Sequence, residues 1–121
     1  LESNSAGIDF IDIAYGNGEY GIIWSQFNTY GVRDVHFMRI DMSGNVLSTV
    51  DISTKFESEI SGSVVWNGSK WGISYGTTWL PVRTIYFVSI DANDLASTPM
   101  MVVTGSDINS FAFMDWGSPY F

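Results

Sequence analysis

The stretch "WNGSKWGISY" (66–75) has an earlier counterpart in "YGNGEYGIIW" (15–24). Laying Tyr20-Gly21-Ile22 on Trp71-Gly72-Ile73 sets a spacing of 51 residues, and the same spacing pairs Ile13 with Val64, Tyr15 with Trp66 and Trp24 with Tyr75. Downstream, "VHFMRID" (35–41) matches "IYFVSID" (85–91) at a spacing of 50, and Ile52-Ser53 matches Val103-Thr104 at 51. A third copy opens near the end: "SFAFMDWGSPYF" lies over "SGSVVWNGSKWG" at a spacing of 49, with Gly117 on Gly68 and Tyr120 on Trp71. A period of this size marks an architecture of stacked units. The chain reads as one repeat-built domain over 1–121, with units at 7–57 and 58–107 and a partial third at 108–121.

Each unit carries four strand signals in order. "FIDIAY" (10–15), a turn at Gly16-Asn17-Gly18, "YGIIWS" (20–25), a polar loop, "DVHFMRID" (34–41), a turn at Ser43-Gly44-Asn45 and "VLSTVDI" (46–52) make the first. The second repeats this with "SGSVVW", a turn at Asn67-Gly68, "WGISY", a loop, "TIYFVSID", a turn through Asn93-Asp94 and "PMMVV". Asn-Gly between apolar runs signals a hairpin whose two central residues both take positive φ. The fold class is therefore all-β: antiparallel four-stranded meanders repeated about every 50 residues.

The inner strands are apolar on both sides, since Val35 and Phe37 alternate with Met38 and Ile40. A sheet with one wet face alternates apolar and polar residues instead. Each small sheet is thus expected to lie between neighbours, as a propeller blade does. "VVWNGSKWGISY … IYFVSIDAND" and "IAYGNGEYGIIWSQ … VHFMRIDMSGNVLS" resemble the repeats of secreted bacterial β-propellers over nearly the whole chain. The resemblance implies blades, and an extracellular or periplasmic location. It implies no particular activity: the Gly-His…Trp-Asp pair and the kelch double glycine are missing, and "IDMSGNVL" echoes the sialidase-type Asp box without its Trp.

Composition narrows the partners. Hydrophobic residues are 45% and charged residues 15%, the balance of a chain that buries much of itself, with a net charge of −8. That sign opposes binding to nucleic acid or an anionic membrane surface. No segment approaches the roughly 20 apolar residues that span a bilayer, so no membrane insertion is expected. With no Cys and one His, neither a Cys-ligated metal nor a His-based nucleophile system is available, and no cofactor is expected.

A ring of blades needs more than two, so the apolar faces at either end require cover. The remainder of a longer propeller, a homo-oligomeric ring of several chains, or a sandwich-like closure would each supply it.

The loops between second and third strands carry the candidate binding residues. "SQFNTYGVRD" (25–34) and "GTTWLPVRT" (76–84) place Val32-Arg33 on Val82-Arg83, with Tyr30 in one loop and Trp79 in the other. An Arg near an aromatic side chain suits a carboxylate or a sugar ring. It equally suits an Arg that bridges neighbouring units. The expected role is a non-catalytic binding or scaffold module with a glycan or protein ligand at Tyr30, Arg33, Trp79 and Arg83. The alternatives are the propeller part of an extracellular carbohydrate-active enzyme, or a structural unit that assembles through its faces.

Other polar residues have simpler readings. His36, matched by Tyr86, is expected to be packed. Asp41 and Asp91 end strands before turns, where Asp accepts backbone N–H groups. "DANDLAS" (91–97) lacks the Gly and distal Glu of an EF-hand and reads as a plain turn. Asp12 lies on an innermost strand, and Glu57 and Glu59 flank the second unit; these are the carboxylates an enzyme reading would use.

Overall fold

The structure, a computed structural model, describes residues 7–52, 58–77 and 83–105. Eight strands appear among them: β1 (Ile8–Gly16), β2 (Glu19–Phe27), β3 (Arg33–Ile40), β4 (Val46–Asp51), β5 (Glu59–Trp66), β6 (Trp71–Thr77), β7 (Arg83–Ile90) and β8 (Met100–Gly105). They form two four-stranded antiparallel sheets, ordered β1-β2-β3-β4 and β5-β6-β7-β8. Each sheet is an uninterrupted meander, and no helix occurs among the described residues. The all-β meander read from the repeat is what the chain builds.

Local chemistry explains the turns. Between β1 and β2, Tyr15 pairs with Tyr20 and Gly16 with Glu19, leaving Asn17 and Gly18 at φ 57° and 73°. That is the two-residue hairpin loop that Asn-Gly favours. The matching turn of the second sheet differs from expectation, because only Gly68 takes a positive φ, at 100°. Here Asn stands one place earlier, and its Oδ1 accepts the Ser69 and Lys70 amides at 3.0 and 2.9 Å. The side chain holds the turn by an Asx bond rather than by backbone handedness.

The turns after β3 and β7 are near copies. Asp41 Oδ1 accepts the Ser43 and Asn45 amides, both at 2.9 Å, and Asp91 Oδ1 accepts those of Asn93 and Leu95 at 2.9 and 3.0 Å. The left-handed position is Gly44 in one and Asp94 in the other, at φ 88° and 62°. Both Asp residues do what the sequence assigns them.

Bulges also repeat. The β1–β2 register shifts between Asp9 and Asp12, and the β5–β6 register between Ser61 and Ser63. Phe10 sits in the first bulge at φ 54°, a left-handed conformation that costs a bulky residue on the order of 1–3 kcal/mol.

The sheets stack through β5, which lies against β1, β2 and β3. Between them Ile23, Val35 and Phe37 of the first sheet meet Val64, Trp71, Ile73, Tyr75, Val88 and Ile90 of the second, all buried. Two glycines allow this close approach. A Cβ on Gly16 would fall 2.2 Å from the Trp66 Cβ, and one on Gly21 would fall 2.8 Å from the Trp71 ring. A smaller cluster of Ile22, Trp24 and Met38 occupies the opposite face of the first sheet. Both faces of that sheet are therefore apolar, as the inner-strand pattern requires.

Polar side chains join the sheets where backbone ladders cannot. The Ser61 amide donates to Ser25 Oγ at 2.7 Å, and the Val64 amide donates to Asp12 Oδ2 at 2.9 Å. The Ser61 hydroxyl donates to the Phe10 carbonyl, which ties the second bulge to the first.

Candidate functional site: the loop between the second and third strands

The first candidate loop is shorter than the sequence suggests. β2 runs on to Phe27 and β3 starts at Arg33, so the connection is residues 28–32. Asn28 organises it. Its Oδ1 accepts the Tyr30 amide at 2.8 Å and the Val32 amide at 3.2 Å, while its backbone N–H donates to the Val32 carbonyl at 2.8 Å. The Asn28 Nδ2 donates to Asp34 Oδ2 at 3.0 Å. Gly31 supplies the left-handed residue, at φ 74°. The result is a tied turn with Tyr30 at its tip, 80% exposed.

Arg33 lies at the base of the loop. Phe27 is its direct partner across the β2–β3 ladder, which puts the guanidinium 4.4 Å from the Phe27 ring centroid and 5.5 Å from that of Phe10. Its Nη2 donates to Asp9 Oδ2 at 3.1 Å, and its backbone N–H donates to Ser58 Oγ at 3.0 Å. Arg33 thus has a carboxylate partner and aromatic contacts, and its backbone reaches toward the second unit. Each cation–π contact of a partly exposed Arg is worth about 0.5–2 kcal/mol.

Of the four residues predicted to bind, the structure places Tyr30 and Arg33 on one loop and its rim. Trp79 lies outside the described residues. Arg83 is the first residue of β7, and its side chain is outside what is described.

The other candidates are placed as follows. Asp12 turns into the inter-sheet seam and accepts the Val64 amide. Glu59 is fully buried at the start of β5, where the first unit has Ile8. Near it, the Tyr75 hydroxyl is held well above its ordinary range, by burial first and then by Glu59 and Tyr86. His36 is only half-buried: it stacks on Trp24 at 5.3 Å and its Nδ1 lies 2.7 Å from Asp51 Oδ1. It is less packed than its apolar neighbours imply, because its ring sits toward the β4 edge, opposite Asp51 in the ladder.

One cluster escapes sequence reading. Arg39 Nη1 donates to both Glu19 oxygens at 2.8 and 3.0 Å, while Nε and Nη2 donate to the two Asp94 oxygens at 2.9 and 3.0 Å. Ser48 Oγ adds a donor to Asp94 Oδ1 at 3.0 Å. The guanidinium is held further above its ordinary range, chiefly by the Asp94 hydrogen bond, and the Asp94 carboxyl is held below its own by Arg39. Because Asp94 lies in the turn that follows β7 and Arg39 lies on β3, the cluster fastens the second unit to the first. Glu19 was within reach of the sequence, since it lies beside the Tyr20–Ile40 pair that flanks Arg39. Asp94 was not, since its counterpart in the first unit is Gly44. No group of three or more His, Cys, Asp or Glu side chains among the described residues has the arrangement to hold a metal ion.

No protein-family model, curated protein or solved structure matches the chain.

Proposed function

We propose that the two sheets are successive blades of a β-propeller and that the chain is a non-catalytic binding module, with its ligand held at the loop between the second and third strands. The observation that carries this reading is Tyr30: a large aromatic ring, 80% exposed, on a turn where Asn28 Oδ1 accepts the Tyr30 and Val32 amides and the Asn28 backbone N–H donates to the Val32 carbonyl. A tied turn spends little entropy when a planar ligand face stacks on such a ring. Arg33 sits at the foot of the same turn, with Asp9 and Phe27 setting its orientation. The head-to-tail stacking of the sheets through β5 supports the blade reading. A glycan is the ligand class best suited to an exposed tyrosine beside hydrogen-bonding groups, and such a role fits a secreted protein.

The test is a glycan array followed by calorimetric titration of the best binder. Tyr30→Ala should weaken binding at least tenfold and leave the melting temperature unchanged, because the ring packs against little. Arg33→Ala should weaken binding and also lower the melting temperature. Absence of any glycan binding, or unaltered binding by Tyr30→Ala, would overturn the assignment of the loop.

A further inference from the structure

The second sheet turns Val64, Trp66, Trp71 and Ile73 toward the first, so strand alternation gives its far face to Ser63, Val65, Gly72 and Ser74. That far face is closed to solvent. Ile60 is 2% exposed, Ser63 4%, Val65 9% and Ser74 3%, and Gly72 and Gly76 are buried beside them. Yet Ile60 and Val65 belong to neither core cluster of the described residues, and the sheet stacks on the first through β5, on its near side. Side chains this dry have a layer of atoms over them, so the cover comes from beyond the described residues.

The repeat points to that layer. At the spacing of 51, the far face of the second sheet corresponds to the face of the first that carries Asp12, Ala14, Gly21 and Ile23. Over that face lie β5 and the start of β6. The Val64 amide donates to Asp12 Oδ2, Ile23 shares a cluster with Val64 and Trp71, and a Cβ on Gly21 would fall 2.8 Å from the Trp71 ring. The segment "SFAFMDWGSPYF" (110–121), outside the described residues, matches β5 and the start of β6 at a spacing of 49, with Phe113 on Val64 and Tyr120 on Trp71. The exchange compensates in volume: where Ile23 gives way to the small Ser74, Val64 gives way to the larger Phe113. Where a ring rests on glycine, both the glycine and a ring are kept, as Gly72 and Tyr120.

We propose that residues 110–120 of the same chain cover the second sheet's far face, repeating the seam that joins the two sheets. Phe113 takes the place of Val64, against Ser74 in place of Ile23, and the Tyr120 ring rests on Gly72 as the Trp71 ring rests on Gly21. The face is already buried within one chain, so the cover is the chain's own and needs no second copy. Glycan binding at Tyr30 plays no part in this seam, and the two assignments stand or fall separately.

A double-mutant cycle in the full chain tests the contact at Gly72. G72A should lower the melting temperature by several degrees, because the methyl group presses on the ring, and should cost at most half as much in a Y120A background. G18A should cost the same with or without Y120A, since a Cβ there meets nothing within 4 Å. A cysteine pair tests the seam without relying on stability. Asn67 and Asp115 hold the places of Gly16 and Trp66, where the sheets approach most closely, and the chain has no Cys of its own. N67C/D115C should therefore oxidise in high yield to a disulfide within one chain, with N67C alone as control for the lost turn bonds. Additive effects of G72A and Y120A, or a cysteine pair that stays reduced, would overturn the proposal. So would a disulfide that links two chains, because the cover would then belong to a second copy.

Discussion

Replacing Asp94 with Asn would keep the shape of the cluster around Arg39 and remove one of its two charges. Arg39 would still hold Glu19, but the bidentate bond that reaches across the sheets would weaken. Hydrogen bonds to charged groups are worth about 1.5–3 kcal/mol, and Asp94 is partly exposed, so a loss of about 1–2 kcal/mol is expected in urea unfolding at neutral pH. The acid dependence has a definite sign. The Asp94 carboxyl is held below its ordinary 3.8 in the folded chain. Folding therefore favours its ionised form, and that stability is complete above the ordinary value and fades as pH falls through and below it. The difference between wild type and D94N should be flat from neutral pH down to about pH 5 and shrink in stronger acid. A difference that grew on acidification would contradict the assignment of Asp94 as the charged partner.

At the scale of the strand and turn, close packing of aromatic rings on glycine decides how near the sheets lie. A methyl group at Gly16 collides with Trp66, whereas one at Gly18 meets nothing within 4 Å and offends only the backbone, at φ +73°. G18A should therefore cost about 1 kcal/mol and G16A about 2–3 kcal/mol or more, since overpacking displaces a tryptophan or separates the sheets. Denaturant midpoints rank the two, and a double-mutant cycle of G16A with W66A should show coupling that G18A lacks. A G18A penalty equal to that of G16A would mean that the Trp66 contact does not limit the approach. The same elements show what was legible in the sequence. Asp41 and Asp91 could be assigned because an Asx turn is settled within five residues. The four-strand order could be read because apolar runs and Asn-Gly punctuation are local. The Asn67 turn was misread in detail, because moving Asn one place hands the work from the backbone to the side chain. The ties of Ser25 to Ser61 and of Asp12 to Val64 were not legible, since each joins residues in different units. At the candidate site, the pairing of Arg33 with an aromatic residue was legible as a type, but its actual partners, Phe27 and Asp9, follow from ladder register and from the bulge in β1.

The two sheets share the larger apolar core, and the cluster of Ile22, Trp24 and Met38 that belongs to the first sheet alone is small. Ile23, Val35 and Phe37 are buried only because Val64, Trp71 and Ile73 lie over them, and the Arg39–Asp94 bond closes the seam at another point. A lone four-stranded sheet with one bare apolar face is marginal in water. The described part of the chain should therefore unfold as a single unit, although the repeat would allow each unit to melt separately. Tryptophan placement makes this measurable, because Trp24 reports on the first sheet and Trp66 and Trp71 on the second. In a background with Trp79 and Trp116 replaced by Phe, two further variants isolate the signals: W24F leaves the second sheet's fluorescence, and W66F/W71F leaves the first's. Each variant's fluorescence transition in urea should coincide with its own far-ultraviolet dichroism transition, and a Trp71→Ala substitution should lower both sheets' midpoints together. Truncating a buried aromatic costs about 3–5 kcal/mol, enough to resolve any lag between them. If the Trp24 signal kept its midpoint while the second sheet melted early, the first sheet would be stable without its partner. The seam at Gly16, Gly21 and Arg39 would then be a contact between independently stable sheets.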